Sequence, residues 1–404
     1  WVTNVYDNGD NEIKYEYYSD GKLKSAQMGE NSNNRITVTY DNLRNRSSIF
    51  DPNYGLMLYE NDVLGNVRKI TNAQNIIEMD YDVLGRKVLV KENDLVHGTK
   101  NVVQWVYSRD KGTNGLLSKV LASNNHQIEY RYDDKLRLLN TIETINGIEY
   151  ETSYSYDEAN RISTIIYPSG FGVLKKYSNS GYEKMICDVK TQSVLWETNK
   201  TNSNGNITDF RLGNGLKTHY TYNPYDYMIE SIVTKKRDEV LQDMSYKYDI
   251  MCNLMYRCDN VEYNYEKFEY DSYDRLTAII LNDEIKGKMN YDLNGNILYK
   301  EVDGVRVMYN SVYDSHKPNA LTNLKSDDDR MYKRSRQNVE YSSFDNVVAI
   351  DEANKSIFID YGYNNDRIYM KTVVDGNVKT KTYVGNCEYV VDGGKKKVLT
   401  YLEG

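Results

Sequence analysis

Polar and apolar residues alternate at a spacing of two along most of this chain, and short turn-forming segments interrupt the alternation at regular intervals. Pairs such as Tyr130 and Tyr132, or Tyr220 and Tyr222, place two aromatic rings on one face of a strand, because successive side chains point to opposite faces. No segment shows sustained helical periodicity with capping residues. The pattern therefore predicts an all-β fold of antiparallel hairpins. Further hairpin turns are predicted at Asn146-Gly147, Asp303-Gly304 and Asp375-Gly376.

A turn sequence recurs throughout the chain, and its clearest copy is Tyr291-Asp292-Leu293-Asn294-Gly295-Asn296-Ile297-Leu298. The interval from Tyr270 to Tyr291 is 21 residues, and the other regular intervals are close to it. Self-similarity at such a period indicates a repeat architecture. The residues in the tyrosine position are Tyr18, Tyr40, Asn61, Tyr81, Tyr107, Tyr132, Tyr156, Tyr177, Thr201, Tyr222, Tyr248, Tyr270, Tyr291, Tyr313, Tyr341 and Tyr363.

Each position in the unit has a predicted role in a turn. The tyrosine ring packs on the sheet, the following aspartate accepts hydrogen bonds from nearby backbone N–H groups, and an aliphatic residue restarts the strand. Four residues after the tyrosine, a left-handed backbone favours Gly, Asn or Asp. The residues there are Gly65, Gly85, Gly181, Gly205, Gly295, Asn160, Asp226, Asp274 and Asp345, whereas Arg44, Leu136 and Cys252 depart from the rule.

These turns are the residues that we expect to matter most, and we predict a structural role for them. A carboxylate that recurs at every turn is thereby a turn residue and not one half of a catalytic pair. The predicted structural turn residues are Tyr81, Asp82, Gly85, Tyr156, Asp157, Tyr270, Asp271, Tyr291, Asp292 and Gly295.

One hairpin cannot bury its own apolar face, so neighbouring units must pair edge to edge and the sheet must grow with the chain. Such a sheet twists and has to coil. We therefore expect a single continuous array over residues 1–404, a spiralling ribbon with irregular units near 95–120 and 313–341. Because Trp1 stands in place of Met, we expect the sequence to be a segment of a longer protein.

Composition narrows the range of functions. Tyrosine is the outlier, at 40 residues against 6 phenylalanines, and it suits half-buried sheet faces with a polar tip. The formal charge of -8 leaves no basic footprint for a nucleic acid. No apolar run approaches the length of a membrane span. Partners of either kind are therefore not expected in this segment.

Candidate chemistry is sparse, and we predict no catalytic, cofactor-binding or metal-binding residues. Cys187, Cys252, Cys258 and Cys387 lack zinc-type spacing and are interpreted as free thiols. The four histidines, His97, His126, His219 and His316, are interpreted as surface or structural residues.

Three further segments have both a functional and a structural interpretation. Gly112-Thr113-Asn114-Gly115 lacks the lysine and the helix of a phosphate loop. Asp51-Pro52 is interpreted as a proline turn between two strands. The charged residues from Lys325 to Arg336 would suit a docking surface or a calcium loop, but the ligand spacing of a calcium loop is absent and an exposed excursion is favoured.

The repeated Tyr-Asp-x-x-Gly-(Asn/Arg)-aliphatic unit resembles the YD, or RHS, repeat of bacterial polymorphic toxins, insecticidal toxin-complex subunits and animal teneurins. The resemblance covers essentially the whole chain and rests on more than a dozen units in register. Other stretches that resemble recurring RHS phrases are 40–46, 50–55, 317–322 and 381–388.

The resemblance implies a hollow β-shell, or cocoon, that encloses a toxic C-terminal domain. The expected function is therefore a non-enzymatic shell segment of a bacterial protein that is secreted or located at the cell envelope. Its partners would be its own toxin domain, outside this sequence, and delivery or immunity proteins. In related toxins an Asp-Pro pair marks a self-cleavage site, but Asp51-Pro52 lies far upstream of the place where the closing core would begin. The alternative is a cell-surface repeat protein that acts in adhesion or carbohydrate binding.

Overall fold

A computed structural model describes residues 1–6, 12–28, 34–96, 98–314, 319, 321–328, 338–342, 346–352 and 354–402. Its described residues form 36 β-strands and no α-helix. The contacts divide the chain into two compact units, each made of two separate stretches. Unit 1 comprises Trp1–Leu58 and Thr198–Arg334, and unit 2 comprises Tyr59–Glu197 and Ser335–Gly404. The all-β fold predicted from the alternating pattern is confirmed.

The strands of unit 1 follow two stretches of sequence. The first stretch holds β1 (Asn4–Tyr6), β2 (Glu12–Tyr17), β3 (Leu23–Met28), β4 (Arg35–Tyr40), β5 (Arg46–Asp51) and the start of β6 (Gly55–Asn61). The second holds β19 (Ile207–Leu212), β20 (Leu216–Tyr222), β21 (Ile229–Lys236), β22 (Glu239–Tyr248), β23 (Leu254–Asp259), β24 (Asn264–Tyr270), β25 (Leu276–Leu281), β26 (Glu284–Tyr291), β27 (Ile297–Val302), β28 (Val305–Tyr313) and β29 (Leu321–Lys325).

The strands of unit 2 also follow two stretches. The first holds β7 (Val67–Thr71), β8 (Asn75–Tyr81), β9 (Lys87–Asp94), β10 (Lys100–Tyr107), β11 (Leu117–Ala122), β12 (Gln127–Tyr132), β13 (Leu138–Ile145), β14 (Ile148–Tyr156), β15 (Ile162–Ile166), β16 (Gly172–Tyr177), β17 (Glu183–Asp188) and the start of β18 (Val194–Thr201). The second holds β30 (Asn338–Tyr341), β31 (Val347–Glu352), β32 (Lys355–Tyr361), β33 (Arg367–Val374), β34 (Asn377–Val384), β35 (Cys387–Asp392) and β36 (Lys395–Thr400).

Within each stretch, a strand pairs antiparallel with the next strand in the sequence, as expected of a hairpin array. The turns at Asn146-Gly147, Asp303-Gly304 and Asp375-Gly376 have positive φ at both central residues. That geometry matches the twist of the flanking strands and defines a type I′ hairpin. Pro52 lies in the turn between β5 and β6, as the sequence predicts.

The register shifts at the last residue of most strands that lead into a repeat turn. At the β12–β13 pair, Arg131 faces Asn140 but Tyr132 faces Leu138, which leaves Leu139 as a bulged residue. The same shift occurs at Tyr81, Tyr156, Tyr270 and Tyr291. A bulge adds twist and re-aims the neighbouring side chain, so each repeat turn starts from the same local geometry.

Two repeat boundaries differ from the sequence prediction. Near the N-terminus, β2 ends and shifts register at Tyr17, not Tyr18. Near the C-terminus, β32 ends at Tyr361, and Tyr363 lies inside the turn rather than on the strand. In both places the residue after the strand-ending tyrosine takes the aspartate position: the Tyr18 N–H donates to the Lys22 carbonyl, and the Gly362 N–H to the Asp366 carbonyl. A second tyrosine close to the strand end, at Tyr18 directly after Tyr17 and at Tyr363 two residues after Tyr361, therefore shifted the predicted alignment.

Burial differs between the two units. The described buried apolar side chains of unit 1 are Val38 and Ala278, whereas unit 2 has sixteen, including the fully buried Val120, Val173 and Ile186. Unit 2 also holds a core cluster in which Ile145 and Tyr150 from the β13–β14 hairpin pack against Ile368 and Val384 of the C-terminal strands. The second stretch of unit 2 therefore packs on the first, and this contact positions the cavities described below.

Candidate functional site

The aspartate of each repeat turn closes that turn with hydrogen bonds. Asp82 Oδ1 accepts the backbone N–H groups of Leu84 at 2.9 Å and Arg86 at 3.0 Å. The Asp82 N–H donates to the Arg86 carbonyl at 2.9 Å, and the Gly85 N–H donates to the Asp82 carbonyl at 3.0 Å. Asp157, Asp271 and Asp292 each accept the same two backbone bonds. One carboxylate oxygen thus satisfies two turn N–H groups.

Arginine at the fifth position after the tyrosine joins one turn to the next. Arg161 donates from Nε to Asp157 Oδ2 at 2.7 Å, and its guanidinium carbon lies 4.3 Å from the ring centroid of Tyr177, the next strand-ending tyrosine. Arg137 and Arg275 make the equivalent ion pair and lie over Tyr156 and Tyr291. A planar guanidinium can form an ion pair with a carboxylate and at the same time stack on an aromatic ring. The compact ammonium group of lysine is less suited to making both contacts at once.

The strand-ending tyrosines donate a hydrogen bond from the side-chain hydroxyl, and this bond links successive turns. The Tyr156 hydroxyl, at the end of β14, donates to the carbonyl of Leu138 at the start of β13, at 2.8 Å. Equivalent bonds, between 2.7 and 3.2 Å, are made by ten other tyrosines. We call these eleven the latch tyrosines: Tyr40, Tyr81, Tyr107, Tyr132, Tyr156, Tyr177, Tyr222, Tyr270, Tyr291, Tyr313 and Tyr361.

Electrostatics in the turns favours charged carboxylates and neutral phenols. The side-chain bond from Arg86 lowers the pKa of Asp82, and the backbone N–H of Arg161 lowers the pKa of Asp157. Burial raises the pKa of Tyr81 and Tyr291 above 10.0. The hydroxyls of Tyr81 and Tyr291 are therefore held in the protonated form that donates.

The left-handed residue of the turn keeps its backbone conformation whatever its side chain. Gly85 and Gly295 have φ of 75° and 84°, and the three predicted exceptions, Arg44, Leu136 and Cys252, have φ of 70°, 64° and 66°. The exceptions therefore carry a conformational cost that glycine avoids.

Two of the other predicted left-handed residues differ from these. Asp226 does not take the left-handed position, because that turn is one residue longer and Tyr227 has φ of 62° instead. Asp345 lies outside the described residues.

A buried histidine pairs with a partly buried glutamate in unit 2. His126 Nε2 lies 2.8 Å from Glu143 Oε1, and the ring stacks on Tyr363 with centroids 6.2 Å apart. Its Nδ1 is buried with no hydrogen-bond partner among the described residues. No serine or cysteine therefore donates to this imidazole there, and the arrangement lacks the activated nucleophile of a triad. Structural packing is the role that this geometry supports for His126.

His219 and the four cysteines fit the structural interpretation given to them. His219 lies on β20 and its Nδ1 is 2.9 Å from Asp209 Oδ1 in a half-exposed cross-strand pair. All four cysteines are free thiols, as predicted. His97, His316, Lys317, Pro318 and the charged residues from Asp329 to Arg336 lie outside the described residues.

The residues that the structure describes hold neither a metal-ligand cluster nor a helix of membrane-spanning length. They contain no group of three His, Cys, Asp or Glu residues arranged to hold a metal ion. They also include no helix long and apolar enough to cross a membrane.

A polar cavity of about 310 Å³ lies between the β9–β10 hairpin and strands β31–β32 in unit 2. Its carboxylates are Glu92, Asp94 and Asp360. Burial raises the pKa of Glu92 and of Asp360, while Glu92 accepts the Asn101 amide at 3.0 Å. Asp94 accepts the Val96 N–H at 2.8 Å and therefore caps a turn. This grouping could not be predicted from the sequence, because Glu92 and Asp360 lie some 270 residues apart in the chain.

An apolar cavity of about 700 Å³ lies between the β13–β14 hairpin and strands β32–β36. Tyr150 and Tyr389 form part of its wall, with ring centroids 4.9 Å apart and the planes inclined by 55°. Burial raises the pKa of Tyr389 to about 12, and its hydroxyl has no hydrogen-bond partner among the described residues. This is the larger and more apolar of the two recesses where distant parts of unit 2 meet.

The turn residues were predicted from the sequence, but the hydrogen bonds and ring contacts that their side chains make with neighbouring turns were not. Each latch hydroxyl reaches a backbone carbonyl 14 to 20 residues earlier in the chain. Contacts of the Arg161–Tyr177 type reach a ring 16 to 21 residues later. A signal was present, because arginine recurs at the fifth position and tyrosine outnumbers phenylalanine 40 to 6.

Comparison with known proteins identifies the fold. The chain is similar to the Tc holotoxin pore of Photorhabdus luminescens, with a TM-score of 0.79 and 16% identity over 97% of this chain. It is also similar to the crystal structure of TcdB2-TccC3, with a TM-score of 0.78 and 15% identity over 96% of this chain. No protein-family model and no curated protein matches the sequence. The shell fold implied by the sequence resemblance is therefore confirmed at the level of fold.

The chain spans about a quarter of the length of these structural relatives. It covers 23% of the holotoxin chain and 24% of the TcdB2-TccC3 chain. What the complete assemblies do is therefore carried to this chain only as a proposal.

Proposed function

We propose that this chain is a non-enzymatic wall segment of a bacterial RHS-type shell that encloses a toxic effector domain until delivery. The observation that carries the proposal is the fold similarity to TcdB2-TccC3 over nearly the whole chain. The shell would act by confinement, and the protein would be secreted or located at the cell envelope. Its partners would be the effector domain and proteins of delivery or immunity.

The repeat geometry supports a confining role. Ladder hydrogen bonds join each strand to its neighbours, and the latch tyrosines and turn arginines join each turn to the next along the sheet edge. A strand edge that is paired and latched leaves few gaps through which a polypeptide could slip or pair. Such a wall can be lengthened by adding copies of the same repeat unit, because each repeat contacts its nearest neighbours.

The array is proposed to be one continuous domain, although its contacts divide it into two units. The repeat unit itself is the same in both, as Asp157 in unit 2 and Asp271 in unit 1 make identical backbone bonds. A common local design suits a wall that is built by repetition.

Protease protection of the effector tests the proposal. The natural full-length protein would be digested with trypsin, and effector peptides would be followed by mass spectrometry. We expect them to be released later than from the isolated effector domain, and earlier after Tyr156→Phe, Tyr177→Phe and Tyr270→Phe are combined. A matched control combines Tyr225→Phe and Tyr263→Phe, whose side chains are 90% and 85% exposed at turn tips.

Two results would contradict the shell function. One is an effector digested as fast within the protein as alone, and the other is a natural protein with no effector domain. Specific binding on a glycan array, together with either result, would favour the adhesion alternative.

A further inference from the structure

The apolar cavity of unit 2 has a floor that the strand register defines. Asp360 on β32 faces Tyr369 on β33, which faces Thr382 on β34. Thr382 then faces Tyr389 on β35, which faces Val398 on β36. Residues directly opposite on antiparallel strands lie on the same face of the sheet. All five residues line the cavity, so they form one row across five strands.

A second row runs beside the first on the same face. Thr380 faces Val391, and Val391 faces Lys396, each two residues from a member of the first row. These three also line the cavity. The β13–β14 hairpin closes it from the other side with Ile145 and Tyr150. The site is therefore a recess with an ordered sheet as its floor and a hairpin as its roof.

The two ends of the floor carry opposite charges without ion-pair partners. Asp360 stands on β32, and Lys396 and its neighbour Lys397, which also lines the cavity, stand on β36. None of the three forms an ion pair among the described residues. The strands between them make the separation about 19 Å, from four interstrand steps of about 4.8 Å. The middle of the floor holds Tyr369, Thr382 and Tyr389, whose rings and hydroxyls offer apolar contact and hydrogen bonds.

We propose that this cavity binds an extended peptide segment of about five or six residues, with a positive group at Asp360, apolar side chains over the tyrosines and a negative group at Lys396. The span fits an extended chain, which rises about 3.4 Å per residue. A free amino acid is too short to reach both charges. A main-chain carbonyl of the peptide would accept the hydrogen bond of the Tyr389 hydroxyl, which is buried and unpaired among the described residues. The site is independent of the shell function.

Binding of designed peptides to the chain tests this proposal by fluorescence anisotropy. The probe is a labelled, end-blocked Lys-Leu-Phe-Leu-Glu peptide. We expect it to bind saturably, and at least about tenfold more tightly than Lys-Ser-Ser-Ser-Glu, which lacks the apolar middle. It should also bind more tightly than Glu-Leu-Phe-Leu-Glu, which places a negative group at Asp360.

Charge reversal in the protein gives the sharper result. Asp360→Lys should weaken the first peptide about fivefold and strengthen Glu-Leu-Phe-Leu-Glu by a similar factor. Tyr389→Phe should weaken the first peptide while leaving the charge preference unchanged. Lys395→Ala is the matched control, since Lys395 does not line the cavity and lies on the opposite face from Lys396. Circular dichroism of each variant establishes that the sheet is intact.

The proposal is overturned if no peptide with an apolar middle binds saturably, or if Asp360→Lys leaves the preference between the two charged peptides unchanged. The proposal is also overturned if phenethylamine displaces the labelled peptide and binds with the same affinity. A small aromatic amine would then occupy the cavity as well as a peptide does, with no negative group placed at Lys396. Unaltered binding after Lys396→Ala and Lys397→Ala are combined would exclude the predicted orientation and count against the proposal in the same way.

Discussion

A single hydroxyl group distinguishes tyrosine from phenylalanine at the end of each repeat strand. The Tyr156 hydroxyl donates to the Leu138 carbonyl at 2.8 Å, and its ring packs beneath Arg137. Phenylalanine would keep the packing but leave that carbonyl without this donor. The ratio of 40 tyrosines to 6 phenylalanines thus has a physical reason in the repeat.

Removing one latch hydroxyl should loosen the fold locally. We expect Tyr156→Phe to reduce the local free energy of opening by about 1 kcal/mol, the net contribution of one hydrogen bond. Hydrogen exchange of amides in β13 and β14 measures it, since repeat arrays open locally rather than in one step. Tyr225→Phe, at a side chain 90% exposed, should leave exchange unchanged. Equal protection in both variants would show that the latch bond adds nothing.

Leucine in a left-handed turn position is a site where stability can be gained. Leu136 has φ of 64° and is 50% exposed, so little packing opposes a change. We expect Leu136→Gly to stabilise the β12–β13 turn by about 0.5 to 1 kcal/mol, the relief of strain less the added entropy of the unfolded chain.

The reverse change supplies the control for that prediction. Gly85 has φ of 75°, and a Cβ there would meet no atom within 4 Å. Gly85→Leu should therefore cost a similar amount through backbone strain alone, without a steric clash. Thermal unfolding and hydrogen exchange of both variants give the comparison. Shifts in the same direction would contradict the strain account.

At the scale of the element, the hairpin was predictable because its causes are local. Gly295, Asp292 and the Asn146-Gly147 pair each specify a turn from within a few residues of sequence. Where aromatic residues stand side by side, as at Tyr17 and Tyr18, the pattern alone placed the boundary one residue late. A tyrosine at either position fits the repeat sequence, and the backbone hydrogen bond from Tyr18 to Lys22 decides between the two alignments.

The contact of the C-terminal strands with the first stretch of unit 2 was not predictable from one sequence. Ring contacts such as His126 with Tyr363 and Tyr150 with Tyr389 join residues more than 230 positions apart. A period of about 21 residues specifies which strand follows which, but not which later repeat lies beside an earlier one. The cavities depend on that contact, so their residues carried no signal in the sequence.

Coupling between successive turns can be measured at the Arg161–Tyr177 pair. A double-mutant cycle with Arg161→Gln and Tyr177→Leu should give a coupling free energy of about 0.5 to 1 kcal/mol, as expected of a partly exposed cation–π contact. The guanidinium carbon lies 4.3 Å from the ring centroid, which supports that magnitude. Urea unfolding and hydrogen exchange provide the measurement.

A unit without arginine provides the comparison for that cycle. Asn206 occupies the arginine position before Tyr222, and Asn202, in the aspartate position, accepts the same two backbone N–H groups at 3.0 Å. The cycle of Asn206→Ala with Tyr222→Leu should show coupling near zero. Equal coupling in the two pairs would mean that turns communicate through the backbone and not through the guanidinium.

At the scale of the whole molecule, the same small interactions recur along the chain, so conditions that remove one remove many. A shell of this fold would need a wall that holds at neutral pH without a dense core, and unit 1 has little apolar burial. Sheet ladders and latch bonds must then supply much of its stability. Conditions that ionise many latch tyrosines together should therefore weaken this wall.

Alkaline pH should loosen the array as a whole. Burial raises the pKa of eight latch tyrosines above 10.0, including Tyr81, Tyr156 and Tyr291. Because the folded-state pKa exceeds the unfolded value of about 10, this stabilisation is complete below pH 10 and is lost as the pH rises through the folded pKa. Ionisation also removes the proton with which each latch hydroxyl donates its hydrogen bond.

Paired spectroscopic titrations would test this dependence. Tyrosinate absorbance and far-ultraviolet circular dichroism should change together above pH 10, and the loss of sheet signal should be shallower after Tyr156→Phe, Tyr177→Phe and Tyr270→Phe are combined. That variant has three fewer latch protons to lose, so its stability depends less steeply on pH even though its stability at neutral pH is lower. If the latch tyrosines ionise while the sheet remains intact, the hydroxyl bonds do not hold the repeats together and the tyrosine rings alone account for their recurrence.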